Sequence, residues 1–299
     1  MPLRVQKGRA PYAFPYLAVR VFFSTVSRTV QTEVAMASTD AGVRGPTRAP
    51  IEQRTLRADR WWLQPLATFV VFTAFVIYAT IRAFQGTHYY VKPYLSPFYS
   101  PCLSDCVEGA SDFGQPFEWW PLSAALIILI FPLGFRMTCY YYRKAYYRAF
   151  WLSPPACAVA EPHTSYSGET RLPLILNNLH RWFWYAALVV GAILTFDTVL
   201  TFRNEEGEWG HMGLGSLIFI ANIVLIWLYT LSCHSCRHAV GGRLRHFSKH
   251  PVRYKLWTWV SAQNKHHALY AWLSLFSVAF ADLYVVLLST GTITDVRFF

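Results

Sequence analysis

Five apolar segments of roughly 20 residues each dominate the sequence. They cover 61–84, 118–142, 181–202, 213–234 and 267–292. About 20 apolar residues are needed to cross the hydrocarbon core of a bilayer, and backbone groups in lipid must be hydrogen-bonded internally, as in a helix. Charged residues make up 14% of the 299 residues, against about 25% in a typical soluble domain. The sequence therefore predicts an all-α integral membrane protein with a five-helix transmembrane bundle.

Residues outside the spans divide the chain into two parts. Residues 1–58 are polar and basic without sustained periodicity, so we expect an N-terminal extension that is partly disordered. Residues 59–299 form the transmembrane domain. Its loops 143–180 and 233–266 carry most of the cysteine and histidine outside the spans and are the predicted ligand-bearing loops.

Basic residues predict the orientation of the bundle. Seventeen Lys and Arg lie within 37–60, 143–181 and 235–265, whereas four lie on the opposite side, at Arg82, Lys92, Arg203 and Arg297. The positive-inside rule places the N-terminus and both ligand-bearing loops in the cytoplasm and the C-terminus outside. The same rule explains the net charge of +11 without nucleic-acid binding. Cys102 and Cys106 then lie outside, where an oxidising environment allows a disulfide.

The run 233–238 (CHSCRH) concentrates metal-binding side chains at the predicted end of the fourth span. Cys233 and Cys236 are three residues apart, so they share one face of a helix, and Gly241–Gly242 would let His238 turn back toward them. Cys157 and His163 in the other loop would reach the same membrane face. Two cysteines and two histidines suit either tetrahedral zinc or a [2Fe–2S] cluster with cysteine on one iron and histidine on the other.

Histidine and carboxylate positions leave other chemistry open. Histidines are missing from the middles of the spans, but His180 and His267 lie at their inner ends, where they would bind a haem near the inner surface. Asp197 and Asp282 lie in the outer halves of the third and fifth spans and are placed to meet Arg82. Ionisable groups in a membrane indicate either a functional site or a structural ion pair.

An aromatic and basic run at 140–151 (YYYRKAYYRAFW) follows the second span. Rings with polar tips beside positive charge suit a quinone headgroup, although an interfacial aromatic belt has the same composition. Arg148 and Trp151 from this run, with Tyr254 from the later basic loop, are the predicted quinone contacts.

Several loop motifs together resemble those of the membrane-anchor subunit of actinobacterial succinate dehydrogenase. The motifs are 151–163 (WLSPPACAVAEPH), 178–181 (NLHR), 232–238 (SCHSCRH), 246–254 (HFSKHPVRY) and 295–299 (DVRFF), and the resemblance covers about residues 50–299. It implies an anchor for a flavoprotein subunit and an iron–sulfur subunit in the bacterial plasma membrane, among membrane lipids and in a higher oligomer of the complex. It also implies a haem-free class with a Rieske-type [2Fe–2S] cluster that passes electrons to quinone.

The resemblance carries specific residues with it. Cys157, His163, Cys233, Cys236 and His238 are the implied metal-ligand candidates, one more than the four that such a cluster uses. The chain has no flavin fingerprint, so we expect no catalytic residue for succinate oxidation in it. Two alternatives remain at this stage: a respiratory subunit with haem b, and a membrane scaffold or transporter with a structural zinc site.

Overall fold

The computed structural model describes residues 57, 59–103, 114, 119, 122–159, 172 and 174–299. The predicted extension 1–58 falls almost entirely outside the described residues, as do Cys106 and the predicted ligand His163. Cys102 is disulfide-bonded, and the other described cysteines are free.

Helices make up nearly all of the described structure. In chain order they are α1 (Leu63–Gln85), α2 (Ala125–Ile128), α3 (Ile130–Thr138), α4 (Tyr140–Tyr146), α5 (His180–Leu200), α6 (Leu214–Leu231), α7 (His234–Gly241), α8 (Pro251–Asn264) and α9 (His267–Ser289). A π-helical turn follows α4 at Tyr147–Trp151, and short 3₁₀ turns lie at Pro97–Tyr99, Leu174–Leu179 and Phe247–Lys249. A two-stranded antiparallel hairpin, β1 (Tyr90–Val91) and β2 (Tyr94–Leu95), follows α1.

Four helices of the described chain are long and apolar enough to cross a membrane, namely α1, α6, α9 and the helix that contains α5. The predicted second span is not one straight helix. It is a pair, Ala125–Thr138 and Tyr140–Trp151, bent by 75°, and it gives a fifth span only if the pair is counted as one. Pro132 explains the first interruption, at Leu129, because a proline lacks the N–H donor and crowds the carbonyl group four residues earlier. Cys139, with extended φ and ψ of −63° and 131°, forms the second.

The predicted loop 233–266 is also different in the structure. It contains α7 and α8, joined by the 3₁₀ turn Phe247–Lys249. Cys233 is not on the last turn of α6. It adopts an extended conformation and caps the N-terminus of α7, where its Sγ accepts a hydrogen bond from the Ser235 amide. Pro251 begins α8, a position that suits the fixed φ of proline.

The spans pack through close helix contacts and turn apolar side chains outward. α9 packs mainly on α6, and α5 contacts both α3 and α6. At Gly134 an added Cβ would lie 2.3 Å from the Phe183 ring, so only glycine lets α3 approach α5 this closely. Large apolar side chains remain exposed along the spans, including Val70, Ile77 and Phe276. An apolar surface of this kind on a helix bundle is the side that faces lipid.

Ion pairs stabilise the end of the bundle that holds the β1–β2 hairpin. Arg82 Nε lies 2.8 Å from Asp282 Oδ2, and both side chains are almost completely buried. Asp197, the second predicted partner of Arg82, instead accepts a hydrogen bond from the Ser100 hydroxyl. Near the C-terminus, Asp295 accepts hydrogen bonds from the Tyr94 and Tyr284 hydroxyls, each at 2.6 Å.

Candidate metal centre

Two cysteines and two histidines meet at the opposite end of the bundle, where four helix boundaries converge. Cys139 lies at the bend between α3 and α4, His180 begins α5, Cys233 separates α6 from α7, and His267 begins α9. We call these four residues the His/Cys site. Each lies at a helix terminus rather than in a helix middle, so antiparallel spans bring the four side chains to one depth.

His180 is held by a hydrogen bond on each ring nitrogen. Its Nδ1 lies 2.9 Å from Thr138 Oγ1, and its Nε2 lies 3.1 Å from Cys233 Sγ. The Thr138 hydroxyl already donates to the Gly134 carbonyl at 2.7 Å, so it accepts from His180 Nδ1–H. The network therefore assigns the proton to Nδ1 and leaves the lone pair of Nε2 directed at the cysteine sulfur. A hydrogen bond at the far nitrogen is the usual way that proteins orient a metal-binding histidine.

His267 repeats this arrangement with other partners. Its Nδ1 lies 2.7 Å from Ser232 Oγ, and its Nε2 lies 3.4 Å from Cys139 Sγ. The Ser232 hydroxyl donates to the Tyr229 carbonyl at 3.1 Å, so it too accepts from the Nδ1–H of the imidazole. The site therefore consists of two His–Cys pairs, and in each pair a hydroxyl contacts Nδ1 and a thiol contacts Nε2 of the imidazole.

Aromatic rings fix the planes of both imidazoles. Phe135 stacks on His180 with ring centroids 5.1 Å apart, and Tyr229 stacks on His267 at 5.0 Å. Tyr229 also contacts Phe135, which joins the two pairs into one apolar cluster. Both donor nitrogens are thus held in fixed positions away from water.

Burial is nearly complete around the two cysteines. Cys139 is 2% exposed and Cys233 is 1% exposed. Burial raises the pKa of Cys233 to about 12, so this residue is a neutral thiol unless a cation binds it. Bound metal ions deprotonate coordinating thiols, so a metal would convert the same buried group into a thiolate ligand.

The Tyr229 hydroxyl is the polar group that the local structure leaves unused. It is buried and has no hydrogen-bond partner in the described part of the chain. Tyr229 packs in the same apolar cluster as Cys139 and Cys233. Since a buried hydroxyl without a partner costs about 1–3 kcal/mol, the site offers a donor for an acceptor that the protein itself does not provide.

The donor set is two thiols and two imidazoles, the composition that a Rieske-type [2Fe–2S] cluster takes from its protein. Across the described ranges, no group of three or more His, Cys, Asp or Glu side chains is arranged to hold a single metal ion. The four donors are instead grouped as two mixed His–Cys pairs. They fit a Rieske-type cluster in composition, whereas that cluster takes both cysteines on one iron and both histidines on the other.

The five ligands predicted from the sequence have different positions. Cys233 lies in the His/Cys site, and Cys236, one turn into α7, is buried in the same apolar cluster. Cys157 is exposed, and its carbonyl oxygen accepts a hydrogen bond from Arg57 at 2.7 Å. His238 lies outside the cluster, with Nδ1 3.2 Å from Arg181 Nη2. His163 lies outside the described residues.

The predicted quinone contacts lie at the same end of the bundle. Arg148 and Trp151 are in the π-helical turn after α4, and Trp151 is largely exposed. Tyr254 lies on α8, where its ring contacts Phe247 and Trp257. None of these contacts, all of them among the described residues, joins Arg148 and Trp151 to Tyr254. Their shared role in quinone binding therefore stays a prediction.

Sequence reasoning did not consider Cys139 as a ligand candidate and considered His180 and His267 for haem alone. A signal was present in the sequence. Thr138–Cys139 and Ser232–Cys233 are hydroxyl–cysteine pairs at the ends of the second and fourth spans, and His180 and His267 begin the third and fifth. Ends of even-numbered spans and starts of odd-numbered spans lie on the same side of a membrane. The two pairs and the two histidines therefore had to lie on the same side of the membrane.

The fold and this site define a multi-span α-helical membrane protein with a buried His/Cys constellation at one end. The family model for the actinobacterial succinate dehydrogenase subunit SdhC matches residues 63–291. The chain belongs to that family. No curated protein matches the sequence.

A solved structure gives the same relationship. A chain of the Mycobacterium smegmatis Sdh1 complex in the apo form is 54% identical, with a TM-score of 0.77. The similarity covers 87% of this chain and 100% of that one.

Proposed function

We propose that this protein is the membrane-anchor and electron-transfer subunit of a succinate dehydrogenase in an actinobacterial plasma membrane. It would assemble with a flavoprotein subunit and an iron–sulfur subunit, which oxidise succinate, and would deliver the electrons to quinone. The observation that carries this proposal is the His/Cys site, whose four donors lie buried at one end of a bundle that belongs to the SdhC family.

We place the His/Cys site at the cytoplasmic face, with the N-terminus inside and the C-terminus outside. The excess of Lys and Arg near that end supports this orientation. So does the state of the cysteines, because Cys102 at the hairpin end is disulfide-bonded while Cys139, Cys157, Cys233 and Cys236 are free.

Cys139, Cys233, His180 and His267 are the residues that would hold a Rieske-type [2Fe–2S] cluster. When bound, this group supplies a one-electron relay whose potential is raised by its imidazole ligands. Cys236 is the nearest substitute for either thiol, because it is buried in the same cluster.

Residues around these ligands have separate tasks. Thr138 and Ser232 keep the proton on Nδ1 of each imidazole, so Nε2 stays available as a donor. Phe135 and Tyr229 hold the ring planes and exclude water. The buried Tyr229 hydroxyl would be available to donate a hydrogen bond to a bound group, and hydrogen bonds to the sulfurs set cluster potentials.

The same geometry weighs against the haem and zinc alternatives. A haem iron bound by His180 and His267 would approach Nε2 of each ring, where Cys233 and Cys139 sulfur atoms lie at 3.1 Å and 3.4 Å. A structural zinc ion would need its donors gathered around one centre, whereas here they lie in two pairs.

Quinone would bind near the same end, with Arg148, Trp151 and Tyr254 as the proposed contacts. Arginine, indole and phenol groups are hydrogen-bond donors that suit quinone carbonyl oxygens. The π-helical turn that carries Arg148 and Trp151 packs on α1 through Phe150, whose ring lies 4.7 Å from Phe69. This contact gives the turn a fixed position at the membrane edge.

Iron, zinc and sulfide analysis of the purified complex tests the cofactor. We expect the wild-type complex to hold two more irons than a Cys139→Ala complex of the same subunit content. The difference between the EPR spectra of the two reduced complexes should show the signal of a [2Fe–2S] cluster. Equal iron content in the two complexes, or zinc in place of iron, would refute the cluster. Loss of the partner subunits from both would instead refute the anchor role.

A further inference from the structure

A basic cavity lies directly beside the His/Cys site. Its volume is about 460 Å³, and its walls include Arg181, His234, Ser235, Arg237, His238 and Trp257. Arg181 and His234 follow His180 and Cys233 in the chain, so the cavity and the His/Cys site share the same helix termini. The mechanism proposed above gives the cavity no role.

Among the described residues, no acidic side chain compensates the charges of this cavity. No carboxylate lines it, and neither Arg181 nor Arg237 forms an ion pair with any described residue. Arg181 Nη2 donates a hydrogen bond to His238 Nδ1 at 3.2 Å, which gives that N–H group a partner but no negative charge. The Arg237 guanidinium lies 4.9 Å from the centre of the Trp257 ring. Basic groups gathered in this way gain most from an anion that accepts from both guanidinium groups.

Two glycines in the cavity wall allow close packing against Trp257 and His238. A Cβ added at Gly241 would lie 2.1 Å from Trp257 Cδ1, and one added at Gly242 would lie 2.3 Å from the His238 carbonyl oxygen. A side chain at either position would displace Trp257 or the backbone at His238, both of which line the cavity. The N-terminus of α7 also opens here, at His234 and Ser235, and its backbone amides add partial positive charge.

The position of the cavity indicates where an anion would come from. Leu179, Trp182 and Tyr185 flank Arg181 and are exposed by 41%, 70% and 46%. Exposed aromatic and apolar side chains beside arginine at the end of a span lie at the level of the lipid headgroups. At this depth the abundant anion is the phosphate group of a lipid.

We infer that this cavity binds the phosphate of an anionic phospholipid headgroup, held by Arg181 and Arg237. A neutral quinone ring would leave both guanidinium charges without a counterion, so it fits the cavity less well than a phosphate does. Because the site adjoins the first residue of α5 and the cap of α7, a bound lipid would stabilise the helix ends that carry His180 and Cys233. The inference rests on membership of the membrane-anchor family and not on the identity of the metal group.

Lipid titration of the purified, delipidated complex tests this inference. The readouts are native mass spectrometry for retained lipid and the thermal unfolding temperature. The probes are phosphatidylglycerol, phosphatidylcholine and inorganic phosphate. For wild type we expect retention of phosphatidylglycerol and a rise in unfolding temperature, with no comparable effect of phosphatidylcholine. In Arg181→Gln/Arg237→Gln, we expect at least a tenfold higher concentration of phosphatidylglycerol to be needed.

A matched control is Arg243→Gln/Arg245→Gln, which removes the same charge from exposed positions just beyond the cavity. It should behave as wild type. Equal lipid affinity in the two double variants would overturn the inference, as would a full effect of inorganic phosphate alone. Release of the partner subunits by Arg181→Gln/Arg237→Gln with lipid affinity unchanged would also overturn it, because the cavity would then receive an acidic group of a partner. The EPR spectrum of the same samples reports separately on the cluster.

Discussion

Two polar sites lie toward opposite ends of α9, and they differ in how completely their buried polar groups are hydrogen-bonded. At the hairpin end, Asp282 accepts from Arg82 through both carboxylate oxygens, and from the Tyr78 and Ser96 hydroxyls. Arg82 in turn uses its remaining N–H groups on Gln85, Thr87 and His88. Every polar atom of that pair has a strong partner.

The His/Cys site, roughly 22 Å away along the helix by its rise of about 1.5 Å per residue, is left incomplete. Its imidazole Nε2 atoms face thiols, which are weak hydrogen-bond donors, and the Tyr229 hydroxyl has no partner among the described residues. A site completed by its own side chains is built for stability. A site whose imidazole lone pairs face only weakly donating thiols is suited to receive another group.

Removing a cysteine of the His/Cys site should have the largest effect on electron transfer. It tests most directly whether this end of the bundle, unlike the hairpin end, binds a cofactor. Cys233→Ala should abolish the cluster EPR signal and lower succinate-driven quinone reduction on the order of 100-fold or more, while succinate oxidation with an artificial acceptor persists. Cys157→Ala, which removes an exposed thiol, is the matched control and should retain both activities. Loss of quinone reduction in Cys157→Ala but not in Cys233→Ala would contradict the His/Cys site. It would favour the loop ligands predicted from the sequence.

Breaking the ion pair should affect stability rather than electron transfer. Asp282→Asn leaves the Arg82 guanidinium buried without its counterion, which typically costs about 3–5 kcal/mol. We expect a lower unfolding temperature of the solubilised complex, with normal cluster content in the protein that remains folded. Arg82→Met/Asp282→Leu should recover most of the loss, because it removes both charges together. Loss of the cluster signal in folded Asp282→Asn protein would contradict the division of roles between the two ends.

The sequence predicted the spans better than the sites between them. The long helices α1, α5, α6 and α9 match four of the predicted segments, because an unbroken apolar run of about 20 residues has few other solutions. The bend at Cys139 was not predicted. It depends on the extended conformation of one residue, Cys139, which hydropathy does not report. That bend is what turns Cys139 toward His267.

The ligand prediction shows the same limit. The run 233–238 drew attention to Cys233, but sequence proximity favoured Cys236 and His238 over residues in other helices, 34 to 94 positions away. The contacts of Cys233 and Cys139 with His180 and His267 span 53 and 128 residues. They follow from the antiparallel order of the helices rather than from any local motif.

A smaller effect is expected from the hydroxyl that holds His180. Thr138→Val removes the acceptor for Nδ1–H and should weaken cluster retention about 10–100-fold, as substitutions of this kind commonly do at metal sites. Iron content after exposure to a chelator measures the loss. Thr198→Val is a close control, because Thr198 is also buried and also bonds the carbonyl four residues earlier, at 2.8 Å, but touches no histidine. Equal iron loss in both variants would show that the Thr138 hydroxyl contributes only through its hydrogen bond within the helix, and not by holding His180.

The smallest effect concerns the unused hydroxyl of Tyr229. Tyr229→Phe keeps the ring that stacks on His267 and removes only the donor. One hydrogen bond of about 1 kcal/mol to a cluster sulfur corresponds to roughly 40 mV for a one-electron couple, so the midpoint potential should fall by about that amount. An EPR-monitored redox titration measures it. Tyr284→Phe removes a hydroxyl that already donates to Asp295 at the hairpin end, and should leave the potential unchanged. An unchanged potential in Tyr229→Phe with the cluster still bound would show that the hydroxyl does not contact the cluster. The His–Cys pairs would then be the only groups of this site that lack a strong partner among the described residues.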